Sequence, residues 1–354
     1  MNRLHVIIPA GGVGSRLWPL SRKDRPKFLL DLRMSGKSLL QETIDRLAPI
    51  AASFTIVTGR AHEQAVRAQI PQGLDITVLV EPQGRDSMPA IGLAAYVIRQ
   101  RFGDEAPIAS FAADHAITHP QVLLDCVERA LEVAQKGYVV TIGLRPLTPS
   151  TAYGYIAPGE PFEMESPEKG SIVRSFVEKP DEETAKQYCE QGYLWNAGMF
   201  IMTAGTLARA LTRFHPDMDT HLSAIGSQWG SESFAQTLSE EWPTLTKIAI
   251  DHAVAEPLAS EGGVAVVPAT DMGWTDVGDF DALAQISSEG QALRIDSPDS
   301  FVRSLTGQKI VLVGAPNVAV IATEDAILVV DRNRAQDVKH VVDQLTQSGE
   351  EELL

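Results

Sequence analysis

The chain has 354 residues, of which 44% are hydrophobic and 21% are charged, as in an ordinary globular protein. This length exceeds what one hydrophobic core usually serves, so we expect a large domain and a smaller one. The formal net charge of −16 argues against nucleic acid or an anionic membrane surface as the main partner.

The cysteines and the apolar runs indicate in which cellular compartment the protein is expected. Cys126 and Cys189 provide neither a disulfide framework nor a metal-binding spacing. The first apolar run is short and is interrupted by Pro9, unlike a signal peptide. The apolar run at 310–330 contains Pro316 and acidic residues, unlike a membrane span. We therefore expect a cytoplasmic protein that does not bind a membrane.

The opening stretch, residues 6–31, places a glycine turn between an apolar run and a basic segment. A strand that ends in a small-residue loop offers backbone N–H groups to a phosphate chain without obstruction by side chains. Arg16 is suited to bridging phosphate oxygens, and Lys27 to adding a compact positive charge. From Met1 to Arg33 there are seven basic residues and two acidic ones, which favours an anionic ligand over the alternative of a solvated charged loop.

Strand and helix patterns then alternate regularly over the first half of the chain. Ser38 with Gln41 predicts a capping box at the start of the first helix. The alternation predicts an α/β domain whose mainly parallel sheet is flanked by helices. Ligands of such sheets bind beyond the carboxyl ends of the strands, where the loops 11–16, 81–87 and 114–115 would meet.

From Thr151 the pattern changes to β-rich runs around an insertion and then to a polar helical region. Residues 287–300 are rich in Ser, Gly and Asp without a strong period, which predicts a linker. Short β-like runs and a terminal helix follow. We therefore expect a large domain over 1–286, a linker over 287–300 and a small C-terminal β module over 301–354.

The glycine turn fits neither of two common phosphate-binding motifs. No Gly-Lys-Ser/Thr follows at the spacing of a Walker loop, and Leu17 stands where a dinucleotide fingerprint has its third glycine. An NAD-dependent oxidoreductase is therefore disfavoured. The continuation through Arg16, Pro26 and Lys27 distinguishes this loop from a generic glycine turn.

Two aspartates at strand ends are candidate Mg²⁺ ligands. Asp114 lies in Ala-Ala-Asp-His and Asp276 in Trp-Thr-Asp-Val-Gly, and either one alone is more typical of a helix cap or a turn. Magnesium takes few carboxylates and completes its shell with water and phosphate oxygens, so the pair fits a nucleotide site. His115 is interpreted as structural because nothing near it resembles a nucleophile.

Two further segments are candidates for holding a sugar phosphate. Lys179 would neutralise the phosphate, and Glu178 would accept hydrogen bonds from hydroxyl groups. Asn196, in the segment Trp-Asn-Ala-Gly, would add an amide. The plainer interpretations are a surface ion pair for the first segment and a packed aromatic beside a turn residue for the second.

The run AGGVGSRLWPLSRKDRPK resembles the signature of the sugar-nucleotide pyrophosphorylases, and its RLWPLSR portion resembles the mannose-1-phosphate guanylyltransferases. Further stretches agree in the same order along nearly the whole chain. They are EPQGRDSMPAIGLAA (81–95), AADH (112–115), TAYGYI (151–156), FVEKP (176–180), WNAGMF (195–200), IDHAVAEP (250–257), WTDVGDF (274–280) and DAILVVDRNRAQDVKHVVDQL (325–345).

This resemblance implies a GT-A-like, Rossmann-like nucleotidyltransferase domain followed by a small left-handed β-helix-like module. It implies that GTP and α-D-mannose 1-phosphate give GDP-mannose and pyrophosphate with Mg²⁺. We also expect a homodimer that forms through the C-terminal module. The implied catalytic residues are Arg16 and Lys27, and the implied metal ligands are Asp114 and Asp276. The implied nucleotide-binding residues are Gly11, Gly12, Gly14, Ser15, Glu81, Arg85 and Asp86. The implied sugar-phosphate-binding residues are Gly154, Glu178, Lys179 and Asn196.

Two alternatives stay open. The first is a pyrophosphorylase for another nucleoside triphosphate or hexose 1-phosphate. The second is a catalytically silent sugar-nucleotide sensor on the same fold. A sensor has no need of both metal carboxylates, so the intact set of Arg16, Lys27, Asp114 and Asp276 argues against it.

Overall fold

The computed structural model describes residues 4–162, 169–287 and 292–354. None of the helices in these ranges is long and apolar enough to cross a membrane. The strands are β1 Leu4–Ala10, β2 Ala51–Gly59, β3 Ile76–Glu81, β4 Pro107–Ser110, β5 Ala116–Ile117, β6 Val139–Leu144, β7 Tyr155–Pro161, β8 Ser171–Val177, β9 Leu194–Thr203, β10 Val264–Ala269, β11 Trp274–Thr275, β12 Ala292–Ile295, β13 Phe301–Ser304, β14 Ile310–Val313, β15 Val318–Ala322 and β16 Ile327–Asp331. The α-helices are α1 Leu39–Leu47, α2 Glu63–Gln69, α3 Ser87–Phe102, α4 Pro120–Ala134, α5 Glu182–Glu190, α6 Ala204–Phe214, α7 Pro216–Ser227, α8 Phe234–Glu241, α9 Glu256–Ala259, α10 Phe280–Ile286 and α11 Val338–Ser348.

Nine strands form one sheet in the order β3-β2-β1-β4-β9-β6-β10-β8-β7. The strands β3, β2, β1 and β4 are parallel, as the alternating pattern predicted. Strand β9 runs antiparallel between β4 and β6, and β8 runs antiparallel to β10. The predicted α/β class is confirmed, with a mixed sheet in which the first four strands are parallel and β6 and β10 form a second parallel pair. The direction of a strand is set by its partners and cannot be read from its own periodicity.

Helices cover both faces of this sheet. Ile7 of β1 packs in one cluster with Leu93 of α3, whereas Val6 and Ile8 pack in the opposite cluster with Ile44 of α1. Because both faces are buried, β1 is a continuous apolar run rather than an alternating one. Its carboxyl end at residue 10 delivers the glycine loop to the edge of the sheet.

The predicted capping box at the start of α1 is confirmed. The Ser38 hydroxyl accepts the Gln41 N–H at 3.2 Å, and the Gln41 side-chain oxygen accepts the Ser38 N–H at 3.0 Å. Two of the helix's otherwise unpaired N–H groups are therefore satisfied.

The segment predicted as a linker contains a strand. Residues 292–295 form β12, which pairs in parallel with β14, so they belong to the C-terminal module; residues 288–291 lie outside the described ranges. The strand is only four residues long, and the Ser, Gly and Asp residues around it obscure its alternation. The rest of the module is the three-stranded sheet β13-β15-β16, the 3₁₀ helix Arg332–Asp337, α11 and a final 3₁₀ helix, Glu351–Leu353.

The C-terminal module packs directly against the glycine-loop region. Leu17 and Phe280 of the large domain share one hydrophobic cluster with Phe301, Ala335 and Val338 of the module. All five side chains are at most 2% exposed. The module and the loop therefore hold each other in place through a common core.

Candidate active site

A two-stranded ribbon brings the two predicted metal-binding aspartates together. Strand β5 pairs antiparallel with β11, with Ala116 opposite Thr275. The next position in each direction places His115 beside Asp276, so Asp114 approaches the Trp274–Gly278 turn. The Thr118 N–H also donates to the Gly273 carbonyl at 3.2 Å, which extends the ribbon. The ribbon therefore brings Asp114 and Asp276, which are 162 positions apart in sequence, together at the carboxyl edge of the sheet.

Lys27 lies at the centre of this arrangement. Its side chain is 7% exposed, and its Nζ is 2.6 Å from Asp114 Oδ2 and 2.6 Å from the Asp276 carbonyl oxygen. Gly14, with a φ of +78°, packs against the lysine stem, and a Cβ on Gly14 would stand 2.6 Å from Lys27 Cβ. The glycine is therefore required both by its backbone conformation and by the closeness of the lysine.

The charged groups around Lys27 shift the pKa values of their neighbours. Burial pushes the pKa of Asp114 up, but the nearby Lys27 ammonium and His115 outweigh it and hold that pKa below its usual value. The Tyr153 hydroxyl donates to Asp276 Oδ1 at 3.1 Å. Burial and the Asp276 charge raise the pKa of Tyr153, so the phenol stays neutral and remains a donor. The carboxylates of Asp114 and Asp276 lie beside the glycine loop, and carboxylate oxygens are the kind of ligand that Mg²⁺ prefers.

The glycine loop itself is open. Gly11 and Gly12 are exposed, and a Cβ on Gly12 would meet nothing within 4 Å. Ser15 begins the 3₁₀ helix Ser15–Leu17, which carries Arg16. The Arg16 guanidinium reaches the turn that carries Asp276, because its Nη2 is 3.3 Å from where a Cβ on Gly278 would stand. Arg16, Lys27 and the turn of Asp276 thus face one another.

Glu81 ends β3 beside the glycine loop. It is 6% exposed, and burial raises its pKa to about 7. Its Oε1 is 3.4 Å from where a Cβ on Gly11 would stand. Over the part of the chain that the structure describes, no side chain or backbone group donates to its carboxylate. A buried acceptor without a donor, next to a phosphate-binding type of loop, is suited to a ligand's N–H groups.

Arg85 and Asp86 are engaged by the protein. Arg85 Nη2 donates to the Pro243 carbonyl at 2.7 Å, and Nη1 donates to the Leu245 carbonyl. Asp86 has a φ of +69°, and its Oδ1 accepts the Ser87 N–H at 2.8 Å at the start of α3. These contacts hold the 81–87 loop in shape.

Three of the four predicted sugar-phosphate residues line one cavity of about 180 Å³, which Asp276 also lines. Gly154, Glu178 and Asn196 lie on its wall, and a Cβ on Gly154 would stand 2.4 Å from Glu178 Oε2. Only glycine therefore permits this position of the Glu178 carboxylate. Lys179 is exposed, and its Nζ lies 2.6 Å from Glu178 Oε1. His115 also lines the cavity and accepts the Trp274 indole N–H at 3.2 Å through Nδ1.

Asp251 is a cavity residue that the sequence motifs did not single out. Its Oδ1 accepts from Asn196 Nδ2 at 2.7 Å, while Asn196 Oδ1 accepts from Thr141 and from the Gly198 N–H. Burial, and then the charge of Glu178, raises the pKa of Asp251 to about 6. The sequence signal that could have identified Asp251 is the stretch IDHAVAEP, which resembles the family. In the structure, Asp251–Ala255 form a π-helical turn, a feature that is frequent at functional sites.

Comparisons with known proteins identify the family of this chain. The Nucleotidyl transferase family model matches residues 5–292, and the MannoseP isomerase/GMP-like beta-helix domain model matches 290–345. The mannose-1-phosphate guanylyltransferase of Escherichia coli K12 is 35% identical over 99% of this chain and 75% of its own length. The chain belongs to the mannose-1-phosphate guanylyltransferase family.

Other members of this family align equally far. The mannose-1-phosphate guanylyltransferase of Salmonella muenchen is 36% identical over 99% of this chain and 75% of its own length. A solved structure from Thermus thermophilus, described as a mannose-1-phosphate geranyltransferase, superposes with a TM-score of 0.82 at 32% identity, covering 97% of this chain and 99% of that one. The predicted enzyme class, a nucleotidyltransferase, is confirmed. Enzymes of this family act on a nucleoside triphosphate and a sugar phosphate and generally use a divalent metal.

Proposed function

We propose that this chain transfers a guanylyl group from GTP to α-D-mannose 1-phosphate, giving GDP-mannose and pyrophosphate. The observation that carries the proposal is the contact of Lys27 with both Asp114 and Asp276 beside the glycine loop. Such a cluster suits phosphoryl chemistry, which needs positioning and charge stabilisation more than a covalent nucleophile. The names of the relatives supply the substrates. We place the reaction in the cytoplasm, since it consumes a nucleoside triphosphate.

In the proposed step, a phosphate oxygen of the sugar phosphate attacks the α-phosphorus of GTP. A new P–O bond forms while the bond to the β-phosphate breaks, and pyrophosphate leaves with the electron pair. Backbone N–H groups of residues 11–15 cradle the triphosphate, and Arg16 and Lys27 stabilise the charge that develops. Asp114 and Asp276 would hold Mg²⁺, which neutralises phosphate charge when bound.

Glu81 supports a preference for guanine. Among the common bases, guanine alone presents two adjacent N–H donors, N1–H and N2–H, on its pairing edge. An ionised carboxylate accepts two parallel hydrogen bonds and donates none. We propose that the Glu81 carboxylate accepts hydrogen bonds from N1–H and N2–H of guanine. We also propose that Arg85 and Asp86 shape the base pocket, because they anchor the 81–87 loop.

For the sugar, we propose that the carboxylates of Glu178 and Asp251 accept hydrogen bonds from mannose hydroxyls. Asn196 orients Asp251 and retains one amide hydrogen for the ligand, and Gly154 leaves room at the wall. Lys179 is exposed and pairs with Glu178 of the cavity wall, and we propose that it contacts the phosphate group of the sugar phosphate.

Asp251→Asn should change stability and affinity in opposite directions. The pKa of folded Asp251, about 6, lies above its usual 3.8, so the stability tied to this group is greatest below about pH 4 and is lost as the pH rises through 6. The variant should gain about 1–2 kcal/mol in unfolding free energy at pH 8 and nothing at pH 4. Its KM for mannose 1-phosphate should rise roughly tenfold, since a hydrogen bond to a charged group is lost. Denaturant titrations at both pH values and steady-state kinetics measure these effects, with the exposed Asp125→Asn as the control. A variant with unchanged KM would remove Asp251 from the sugar site.

The reaction is tested by a panel of triphosphates and sugar phosphates. GTP, ATP, UTP and CTP would each be combined with mannose, glucose and galactose 1-phosphate, with and without Mg²⁺, while released pyrophosphate is measured. We expect GTP with mannose 1-phosphate to be fastest, and Glu81→Gln to reduce the preference for GTP. Faster turnover of another pair would favour a different pyrophosphorylase, and binding of GDP-mannose without any release of pyrophosphate would favour the sensor.

We also propose that two copies pair through the C-terminal module. Leu293 and Ile295 of β12 lie opposite Val311 and Val313 of β14, and these four side chains are 48–66% exposed. An uncharged row of this kind is unusual on a chain with a net charge of −16. A second copy of the same row is a self-complementary partner in a two-fold dimer.

Val313→Asp should separate the dimer, because a carboxylate would be desolvated within the apolar contact between the two copies. Sedimentation velocity should show a dimer for the unmodified chain and a monomer for the variant at micromolar concentration. Leu147→Asp, at an exposed position in the large domain, is the matched control and should stay dimeric. A dimeric Val313→Asp variant, or a monomeric unmodified chain, would contradict this arrangement.

A further inference from the structure

One side chain of the C-terminal module reaches the glycine loop. Gln336, in the 3₁₀ helix Arg332–Asp337, accepts a hydrogen bond from Arg16 Nη1 at 2.6 Å through its Oε1. Its Nε2 donates to Asp279 Oδ2. We propose that Gln336 is a positioning residue for the nucleoside triphosphate, because it holds the guanidinium of Arg16 at the phosphate loop. This inference rests on the proposed role of Arg16 in binding the triphosphate.

The two hydrogen bonds of the Gln336 side chain form a bridge between Arg16 and Asp279, and Asp279 is itself held in place. The other oxygen of Asp279 accepts the N–H groups of Asp281 and Ala282 at 2.9 Å each, so Asp279 is the N-cap of α10. Asp279 lies three positions after Asp276, in the same turn. The Gln336 amide therefore joins the loop that carries Arg16 to the turn that carries the proposed metal ligand.

Arg16 and Gln336 are each adjacent in sequence to a buried residue. Leu17 follows Arg16 and is 0% exposed, and Ala335 precedes Gln336 and is 2% exposed. These two residues belong to the same hydrophobic cluster. The backbones that carry Arg16 and Gln336 are thus held relative to each other by packing, although the two polar side chains lie at the surface of the site. An arginine whose acceptor is anchored samples fewer conformations before the ligand arrives, which lowers the entropy cost of binding.

The chemistry of an amide suits this position. Gln336 accepts from Arg16 without adding charge, so the guanidinium keeps its full charge for phosphate oxygens. A carboxylate at the same place would pair with Arg16 and would add a negative charge beside Asp279 and Asp276. Phosphate binding would then suffer twice, from the neutralised arginine and from repulsion of the anionic ligand.

Two near-isosteric replacements in the full chain separate these effects. Gln336→Met removes the hydrogen bonds while keeping the length of the side chain, and we expect it to raise the KM for GTP about 3- to 10-fold. Gln336→Glu should raise that KM at least about tenfold further, and added salt should reduce the excess. The KM for mannose 1-phosphate should stay within about twofold in both variants. Gln344→Glu, the same charge change at an exposed position of α11, is the control and should change neither KM.

Calorimetric binding of GTP to each variant, without the sugar phosphate, gives an independent readout. Equal effects of Gln336→Met and Gln336→Glu on the KM for GTP, or equal changes in the KM values for GTP and for mannose 1-phosphate, would overturn the positioning role. A lower KM for GTP in Gln336→Met would overturn it as well, because the bridge would then hold Arg16 away from the ligand. If the unmodified chain turns over and both variants match it, only this inference fails. If the unmodified chain binds no GTP, the inference and the proposed function fail together.

Discussion

Lys27→Ala is expected to lower the turnover number by about 10²–10³-fold, the typical cost of losing one charge-stabilising donor in an active site. Lys27 is buried and touches both halves of the proposed metal site, through Asp114 Oδ2 and the Asp276 carbonyl. Its charge also holds down the pKa of Asp114, so the variant should make that carboxylate easier to protonate. Pyrophosphate release at saturating substrates measures the loss.

Lys37→Ala is the matched control for this prediction. Lys37 belongs to the same N-terminal region, but its side chain is 55% exposed and pairs with Asp45 at the surface. Exposed pairs contribute about 0–1 kcal/mol, so activity should not change. Circular dichroism and thermal unfolding establish that both variants are folded. Near-normal turnover in folded Lys27→Ala would remove the lysine from the catalytic machinery.

Asp276→Asn is expected to reduce turnover by a similar factor of about 10²–10³ and to raise the Mg²⁺ concentration needed for half-maximal rate. Asp276 Oδ1 accepts the Tyr153 hydroxyl at 3.1 Å and the Gly278 N–H at 3.2 Å. An amide oxygen can accept both hydrogen bonds, so the turn should keep its shape while one negative charge is lost. A titration of the rate with Mg²⁺ therefore tests the charge and not the fold.

Asp271→Asn provides the same substitution in a similar local setting. Asp271 Oδ1 accepts the Gly273 N–H two positions on, at 2.8 Å, but the side chain is exposed and does not contact Lys27. Its rate and its Mg²⁺ requirement should match those of the unmodified chain. If the two variants behave alike, or if Asp276→Asn keeps the normal Mg²⁺ dependence, Asp276 is not a metal ligand.

Much of the fold could be predicted because its signals are local. The capping box at Ser38 and Gln41 needs only a four-residue segment, and the parallel strands beside β1 follow from alternating patterns within single segments. The strand hidden in residues 292–295 was missed because four residues carry too little periodicity. The antiparallel course of β9 was missed because a strand's direction depends on its neighbours.

The candidate site divides in the same way. Arg16, Lys27, Asp114 and Asp276 were selected from short motifs, whose residue types suit phosphate and Mg²⁺. Asp251 and Gln336 were not selected, although both lie in stretches that resemble the family. Nothing in a segment's own composition indicates which distant cavity or loop it will face.

The sequence by itself determined the alternating α/β pattern, the glycine loop with its basic continuation and the resemblance to one enzyme family. Only the tertiary structure decided that Asp114 and Asp276 meet through the β5–β11 ribbon, and that Gln336 of the C-terminal module touches Arg16. The physical reason is that helix caps and periodic faces depend on neighbours a few residues apart. The ribbon's two-residue strands and the module's shared core instead depend on contacts between segments about 160 to 320 positions apart, which form only when the whole chain packs.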